Sequence, residues 1–308
     1  MTLTIFTPTY NRAYIINNLY ESLKRQTVLD FEWLVIDDGS TDDTEVYFQN
    51  ILNNSDLDIK YIKKENGGKH TAANLAIEKA KGELFFVVDS DDFLADNAVE
   101  RILFYYKQIK NDDSFCGVCG QKAFFNGETI GSNIDYKVLD TTIIDYRFHR
   151  KISGDKADVF RTKLLREHRF PEHPGEKWCP LSIVWNRFGS KLKVRYFNEI
   201  LYYAEYLEDG LSLNRLKIRR KSPNNTMLYY LELSKYNIPI KEKVKAKINY
   251  WRFSFYSEKP FIEKFSKAGW MFPFSTFMVG YIFYQIDKNS KIHDKLLNPK
   301  NKLINQQK

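Results

Sequence analysis

Four short strand-like runs, three of them apolar throughout or nearly so and each followed by a knot of polar residues, constrain the fold of this chain more than anything else in it. They lie at residues 3–7, 31–36, 58–62 and 84–88. They run out into Thr7-Pro8-Thr9, Asp37-Asp38, Gly67-Gly68 and Asp89-Ser90-Asp91-Asp92. Strands this apolar do not tolerate a wet face, which predicts a parallel sheet covered on both sides. The segments between them supply the cover. Leu19 and Leu23 stand at i, i+4 spacing within residues 18–26, and Thr41-Asp42-Asp43-Thr44 offers capping side chains to a second helix. Residues 71–80 read as a third helix through Ala72, Ala73, Leu75, Ala76 and Ile77. Strands alternating with helices imply an α/β, Rossmann-like fold with a mostly parallel central sheet and helices on both faces. Ligands of such sheets bind beyond the carboxyl ends of the strands. All four ends here are polar, so the chemistry is expected along one edge.

Downstream the pattern mixes. Residues 115–125 and 193–203 read as strands, residues 182–187 as a helix, and residues 153–173 as loop-rich. From about residue 215 onward helical stretches with basic faces follow, including residues 227–235 and 243–255. Charge divides the chain in the same place. Residues 215–308 hold 20 Lys or Arg against 6 Asp or Glu, a net of +14; the whole chain is +8, which leaves residues 1–214 at −6. A negative body with a basic tail separates chemistry from attachment. Residues 268–286 carry no charge and are rich in aromatics, but Pro273, Ser275, Thr276 and Gln285 weaken them as a spanning helix. Together these point to an anionic membrane surface as a partner of residues 215–308, with a packing subdomain or an oligomer contact as the open alternatives.

Cys116, Cys119 and Cys179 make no disulfide framework, which fits a reducing cytoplasm. The lone C-x-x-C reads as two small residues on a buried strand. No basic segment followed by an apolar run stands at the N-terminus, so no secretory signal is expected.

Three motifs carry chemistry. Asp89 and Asp91 can converge on one hard divalent cation such as magnesium or manganese. Asp37-Asp38-Gly39-Ser40 presents acceptors for N–H and O–H donors of a base or ribose. Gly67-Gly68-Lys69-His70 allows close backbone approach and then offers a cation suited to a diphosphate. Neither a phosphate loop ending in G-K-[ST] nor a G-x-G-x-x-G is present, which disfavours kinase-like and dinucleotide-oxidoreductase readings.

In order and spacing, Thr7-Pro8-Thr9-Tyr10-Asn11-Arg12, Gln26-Thr27, Asp37 to Asp42, Asn66-Gly67-Gly68, Asn74, and Gly82 leading to Asp89-Ser90-Asp91-Asp92 resemble family-two glycosyltransferases of the GT-A fold. The resemblance covers roughly residues 1–110. It implies a catalytic domain over 1–214, with a nucleotide-binding half at 1–110 and an acceptor-binding half at 111–214. The basic, largely helical region 215–308 lies outside it. It also implies roles. Thr7, Pro8, Thr9, Tyr10 and Arg12 would line the donor pocket, Asp38 would contact the base, and Lys69 would lie near base or diphosphate. Asp89, Ser90 and Asp91 would hold ribose and metal (Mn2+ or Mg2+), with Asp91 the direct ligand. Asp92 and Trp178 would face the donor sugar or acceptor.

The family's catalytic base is an acid downstream of the D-x-D, and Glu176 in Gly175-Glu176-Lys177-Trp178 matches that place best. It is expected to open a helix ending near Phe188. Its rivals are Glu208 and Asp209 in a stretch resembling a loop that closes over the donor. The resemblance thus implies an inverting enzyme that moves a sugar from a nucleotide-diphosphate donor, usually UDP, to a saccharide or lipid-linked saccharide. Surface-polysaccharide assembly in the cytoplasm, or at the inner face of the plasma membrane, would be its setting. Two alternatives stay open, an inactive binding protein on the same fold and a nucleotidyltransferase. The latter would want a glycine-rich basic loop after the first strand, where Thr7 to Arg12 has Pro and Asn. An acidic body without a recognised binding motif predicts no nucleic-acid partner.

Overall fold

A computed structural model of the chain describes residues 1–205, 215–268 and 274–289. The fold divides into two compact units, Met1–Arg215 and a second beginning at Leu216. Among the described residues the first unit holds one nine-stranded sheet. Its strands are β1 (Leu3–Thr9), β2 (Phe31–Asp37), β3 (Ile59–Lys63), β4 (Leu84–Val87), β5 (Phe93–Leu94), β6 (Phe115–Ala123), β7 (Val138–Thr142), β8 (Lys156–Arg161) and β9 (Lys193–Tyr203). They lie in the order β3-β2-β1-β4-β8-β6-β9-β5, with β7 also paired to β9. The first four are parallel to their neighbours. Then β8 enters antiparallel between β4 and β6, while β6 and β9 run parallel.

Among the described residues six α-helices, α1 (Asn17–Lys24), α2 (Thr44–Leu52), α3 (Lys69–Lys79), α4 (Ala98–Lys107), α5 (Thr162–Glu167) and α6 (Ser182–Gly189), belong to this unit, with one short π-helix at Asp145–His149. Side chains of a strand alternate between faces, so a strand buried on both sides must be covered twice. On one face Leu3, Ile5, Trp33, Val35, Leu84 and Phe86 pack with Leu19 and Leu23 of α1, Phe48 of α2 and Ile102 of α4. On the other, α3 packs against β1 and β2, and Trp185 and Phe188 of α6 meet Phe160 of β8. Trp33 ties the layers together. Its ring stacks on Tyr20 and meets Phe48, and its indole N–H donates to Thr7 Oγ1 at 2.9 Å.

The loop-rich reading of residues 153–173 is corrected, since they contain β8 and α5. In β8 only Ala157 and Val159 turn to the main core. Lys156 and Asp158 turn to a second, polar layer with Cys119 and Arg147. Lys156 to Val159 therefore alternates polar and apolar residues, a strand period over a very short run. Cys116 and Cys119 are buried and free on β6, as expected of small strand residues.

From residue 215 onward the described residues form α7 (Arg215–Lys221), α8 (Pro223–Leu233), α9 (Ile240–Ser254), α10 (Phe261–Ala268) and α11 (Phe274–Lys288). Pro223 stands in the first turn of α8, where a missing N–H is tolerated. α9 packs against both α8 and α11. Asp287 of α11 is fully buried and accepts two hydrogen bonds from Arg252 of α9, at 2.7 and 2.5 Å. None of the described helices is long and apolar enough to cross a membrane.

Candidate active site

Parallel register decides where the polar ends of the strands meet. Thr9 lies beside Asp37, and Phe6 beside Val87, so the turns after β1, β2 and β4 leave from one edge. The Asp38 amide donates to the Thr9 carbonyl at 2.8 Å. The Asp38 carboxylate, almost fully buried, accepts from the amides of Gly67 (2.9 Å) and Gly68 (2.6 Å) and from Lys64 Nζ (2.8 Å). Asn66 Nδ2 closes the loop onto the Asp38 carbonyl at 2.7 Å. One acid thus fixes the glycine turn that starts α3. Its neighbour Asp37 looks inward, accepting from the Ser40 amide at 2.7 Å and from the Tyr61 hydroxyl.

The next residue along, Lys69, reaches across to Asp89, with Nζ 2.5 Å from Oδ1. Arg12 approaches Asp91 at 3.9 Å. Burial works against charge on Asp89, but Lys69, Lys122 and Arg12 outweigh it and hold its pKa below the ordinary carboxylate value. Asp91 moves the other way, raised by burial and then by the negative charge of Asp89. Asp92 is pushed up to about 7, again by burial first and Asp89 second. Three acids within four residues cannot all ionise comfortably in one half-buried place. The Tyr202 hydroxyl manages two of them, accepting from the Asp89 amide at 2.9 Å and donating to Asp92 Oδ2 at 2.6 Å. Lys122, paired with Tyr202 across β6 and β9, sits 3.5 Å from the centre of its ring.

Glu176 is buried, in a non-helical segment that packs on α3. Asn74 of α3 holds that segment, donating to the Phe170 carbonyl (3.0 Å) and Glu172 Oε1 (2.7 Å) and accepting from the Phe170 amide (2.9 Å). Gly68 explains how close the segment comes. A Cβ there would stand 2.0 Å from the carbonyl oxygen of Lys177, and its φ of +94° suits glycine. The residue next to the acid proposed as base therefore lies against the same glycine turn that Asp38 fixes. The expectation that Glu176 opens a helix is corrected: α6 begins at Ser182. Pro180 has no N–H to give and restricts the residue before it, so the helix starts beyond it. Glu208 and Asp209 lie outside the described residues.

The other candidates separate. Thr7 is fully buried, and its hydroxyl accepts from the Trp33 indole N–H. The Thr9 hydroxyl is buried with no protein partner, and Tyr10 is 49% exposed at the strand end. Pro8 and Trp178 are half-buried, and Ser90 is buried in the acidic turn. Trp185 packs on Phe160, Phe170 and Phe188. His70, one residue past Lys69, is buried with neither ring nitrogen hydrogen-bonded, and burial lowers its pKa.

With this geometry in view, the chain can be compared with known proteins. The profile of Glycosyl transferase family 2 matches residues 4–162, which is more than half of the chain and reaches from β1 to the first residue of α5. The chain belongs to that family. A relative from Campylobacter jejuni, GalNAc(5)-diNAcBac-PP-undecaprenol beta-1,3-glucosyltransferase, is 26% identical over 238 residues, covering 76% of this chain and 73% of its own. The hyaluronan synthase of Pasteurella multocida is 38% identical over 225 residues, covering 71% of this chain but 22% of that longer protein. The family-2 fold is shared with the 1–349 fragment of Staphylococcus aureus TarS solved with UDP, at a TM-score of 0.58 and 21% identity over 84% of this chain and 73% of that one. It is shared too with a Pyrobaculum calidifontis mannosyltransferase solved with GDP-Man and Mn2+, at a TM-score of 0.56 and 15% identity over 93% of this chain and 88% of the other.

In this family-2 glycosyltransferase, Asp89 and Asp91 offer hard carboxylate oxygens. No group of three or more His, Cys, Asp or Glu gathers as a metal cage among the described residues. Two carboxylates fit a magnesium or manganese ion that takes its remaining ligands from phosphate oxygens and water. Burial first and the charge of Asp89 second raise the pKa of Asp91, and a cation held between the two acids would relieve the second of these. The sequence reading missed Lys64, Lys122 and Tyr202. Lys64 follows β3 and was legible as a cation near the Asn66-Gly67-Gly68 turn. Lys122 and Tyr202 had no signal, because only the β6–β9 pairing brings them to the acidic turn.

Proposed function

We propose that the chain transfers a sugar from a UDP-linked donor to a hydroxyl of a saccharide or lipid-linked saccharide, inverting the anomeric carbon in one displacement. The setting we infer is bacterial surface-glycan assembly on the cytoplasmic side of the membrane. One observation carries this reading, the convergence at the start of α3. There Asp38 fixes the glycine turn, Lys69 pairs with Asp89, and the Glu176 segment lies against Gly68. A UDP donor is supported by the TarS fragment solved with UDP and again with UDP-GlcNAc. The name of the Campylobacter relative, a glucosyltransferase for GalNAc(5)-diNAcBac-PP-undecaprenol, supports a lipid-linked acceptor.

The chemistry follows from the charges. Thr9, Tyr10 and the Asp38 turn receive the nucleoside, the free Thr9 hydroxyl gaining the partner it lacks. Lys69 and Arg12 face the diphosphate and oppose the negative charge that grows on it as the anomeric bond breaks. Glu176 takes the acceptor hydroxyl proton while that oxygen attacks the anomeric carbon from the opposite face. The bonding electron pair departs with UDP. Asp89 and Asp91 would hold the divalent ion, which when bound supplies Lewis-acid stabilisation of the leaving diphosphate. Asp92, held by Tyr202, and Trp178 border the sugar and acceptor side.

The test is UDP release from a panel of nucleotide sugars, with manganese and with chelator. Asp91→Ala and Glu176→Gln are each expected to lower kcat by about 10²–10⁴-fold. UDP affinity should survive Glu176→Gln. Parental turnover in both variants rejects the assignment.

A further inference from the structure

The second unit turns an unusual amount of apolar surface outward. On α10, Phe261 is 57% exposed and Ile262 74%; on α11, Phe274 is 73% exposed and Ile282 53%. The surface is continuous. Phe277 meets Phe261 at 6.0 Å and Phe274 at 5.8 Å between ring centres, and buried Trp251 of α9 lies beneath, 5.1 Å from Phe277. Helical geometry shows why these side chains cannot be core. Gly280 of α11 faces α9 so closely that a Cβ there would stand 2.6 Å from the Trp251 Cβ. At about 100° per residue, Phe274, Met278 and Ile282 fall on the far side of the helix from Gly280. An apolar stripe away from the packing partner has no structural use within this unit.

We propose that this face of α10 and α11 docks on a lipid bilayer rich in anionic headgroups. Charge selects the partner. Residues 259–268 bring three lysines against one glutamate, and residues 215–308 as a whole carry the +14 excess. Lys259 and Lys267 both lean on the single acid of α10, Glu263, at 3.1 and 3.0 Å, so positive charge is left over beside the apolar rings. Aromatic and branched side chains beside lysines suit the boundary between acyl chains and headgroups. Two copies of so basic a unit repel each other, which disfavours self-association through it. No described helix is long and apolar enough to cross a membrane, and the docking proposed is of helices lying along its surface. The surface needs no assumption about the transfer chemistry.

The experiment is flotation of the full chain with vesicles of phosphatidylcholine alone and of phosphatidylcholine containing about one-third phosphatidylglycerol. Binding is expected on the anionic vesicles only, and weaker when salt is raised to about 0.5 M. The triple variant Ile262→Glu, Phe274→Glu, Ile282→Glu should bind about tenfold or more weakly. Its circular dichroism and melting should be parental, because all three positions are more than half exposed. Lys259→Gln with Lys267→Gln leaves the apolar face intact and should weaken binding severalfold on anionic vesicles. Three results overturn the proposal. They are absence of flotation by the parent chain, equal flotation by the triple variant, and a dimer in light scattering that the triple variant dissociates while vesicles are ignored.

Discussion

Tyr202 places one hydroxyl between two groups that need it. It accepts the Asp89 amide and donates to Asp92, so the acidic turn takes its shape from a residue more than a hundred positions away. Tyr202→Phe would leave the part-buried Asp89 amide without this partner and the buried Asp92 one donor short. The expected loss is about 1–3 kcal/mol of stability, because an unmade buried hydrogen bond costs its full desolvation. Turnover should fall about tenfold or more, since a small misplacement of reacting groups is costly. Melting and kcat of Tyr202→Phe check both; parental values would mean that the turn holds itself. Legibility at this scale divided by contiguity. Asp38, Lys69, Asp89 and Asp91 stood in short motifs whose residue types announce their chemistry. Lys122 and Tyr202 belong to no motif, and Thr7, which does, accepts through its hydroxyl from the Trp33 indole N–H.

Among the elements, α3 has the heaviest duties. Its first turn is fixed by Asp38, its first residue pairs with Asp89, and Asn74 in its middle anchors the segment that carries Glu176. Gly68 is the joint between them. Gly68→Ala would force a Cβ against the Lys177 carbonyl and strain a φ of +94°. A non-glycine residue held there costs about 1–3 kcal/mol, and the segment must shift to admit the methyl group. The expected result is a lower melting temperature with a drop in kcat of about 10²-fold. If kcat is unchanged, Glu176 does not depend on that seat. The positions of α3 and β1–β4 were readable because their periodicity is local. The helix read at residues 182–187 is α6, but extending it back to Glu176 was a misreading that Pro180 marked, and β8 was missed although Lys156 to Val159 alternates polar and apolar residues.

The whole molecule is two units with different electrostatic tasks. In the second, Asp287 is buried against Arg252, with Arg220 3.3 Å away. Removing one partner of a buried ion pair costs about 3–5 kcal/mol, because a charge stays behind without its counterion. Asp287→Ala is therefore expected to strip hydrogen-exchange protection from α8, α9 and α11 while leaving the sheet of the first unit protected. Uniform loss across both units would show that they unfold as one. By itself the sequence determined the strand-and-helix alternation, the polar edge, the family and the sign of charge in each part, since these follow from residue type and near-neighbour spacing. Only the tertiary structure decided which acids share a turn, which glycine lets the Glu176 segment approach, and which aromatic rings of the basic unit are left facing outward. Those depend on strand register and helix rotation, and both are set by packing between residues far apart along the chain.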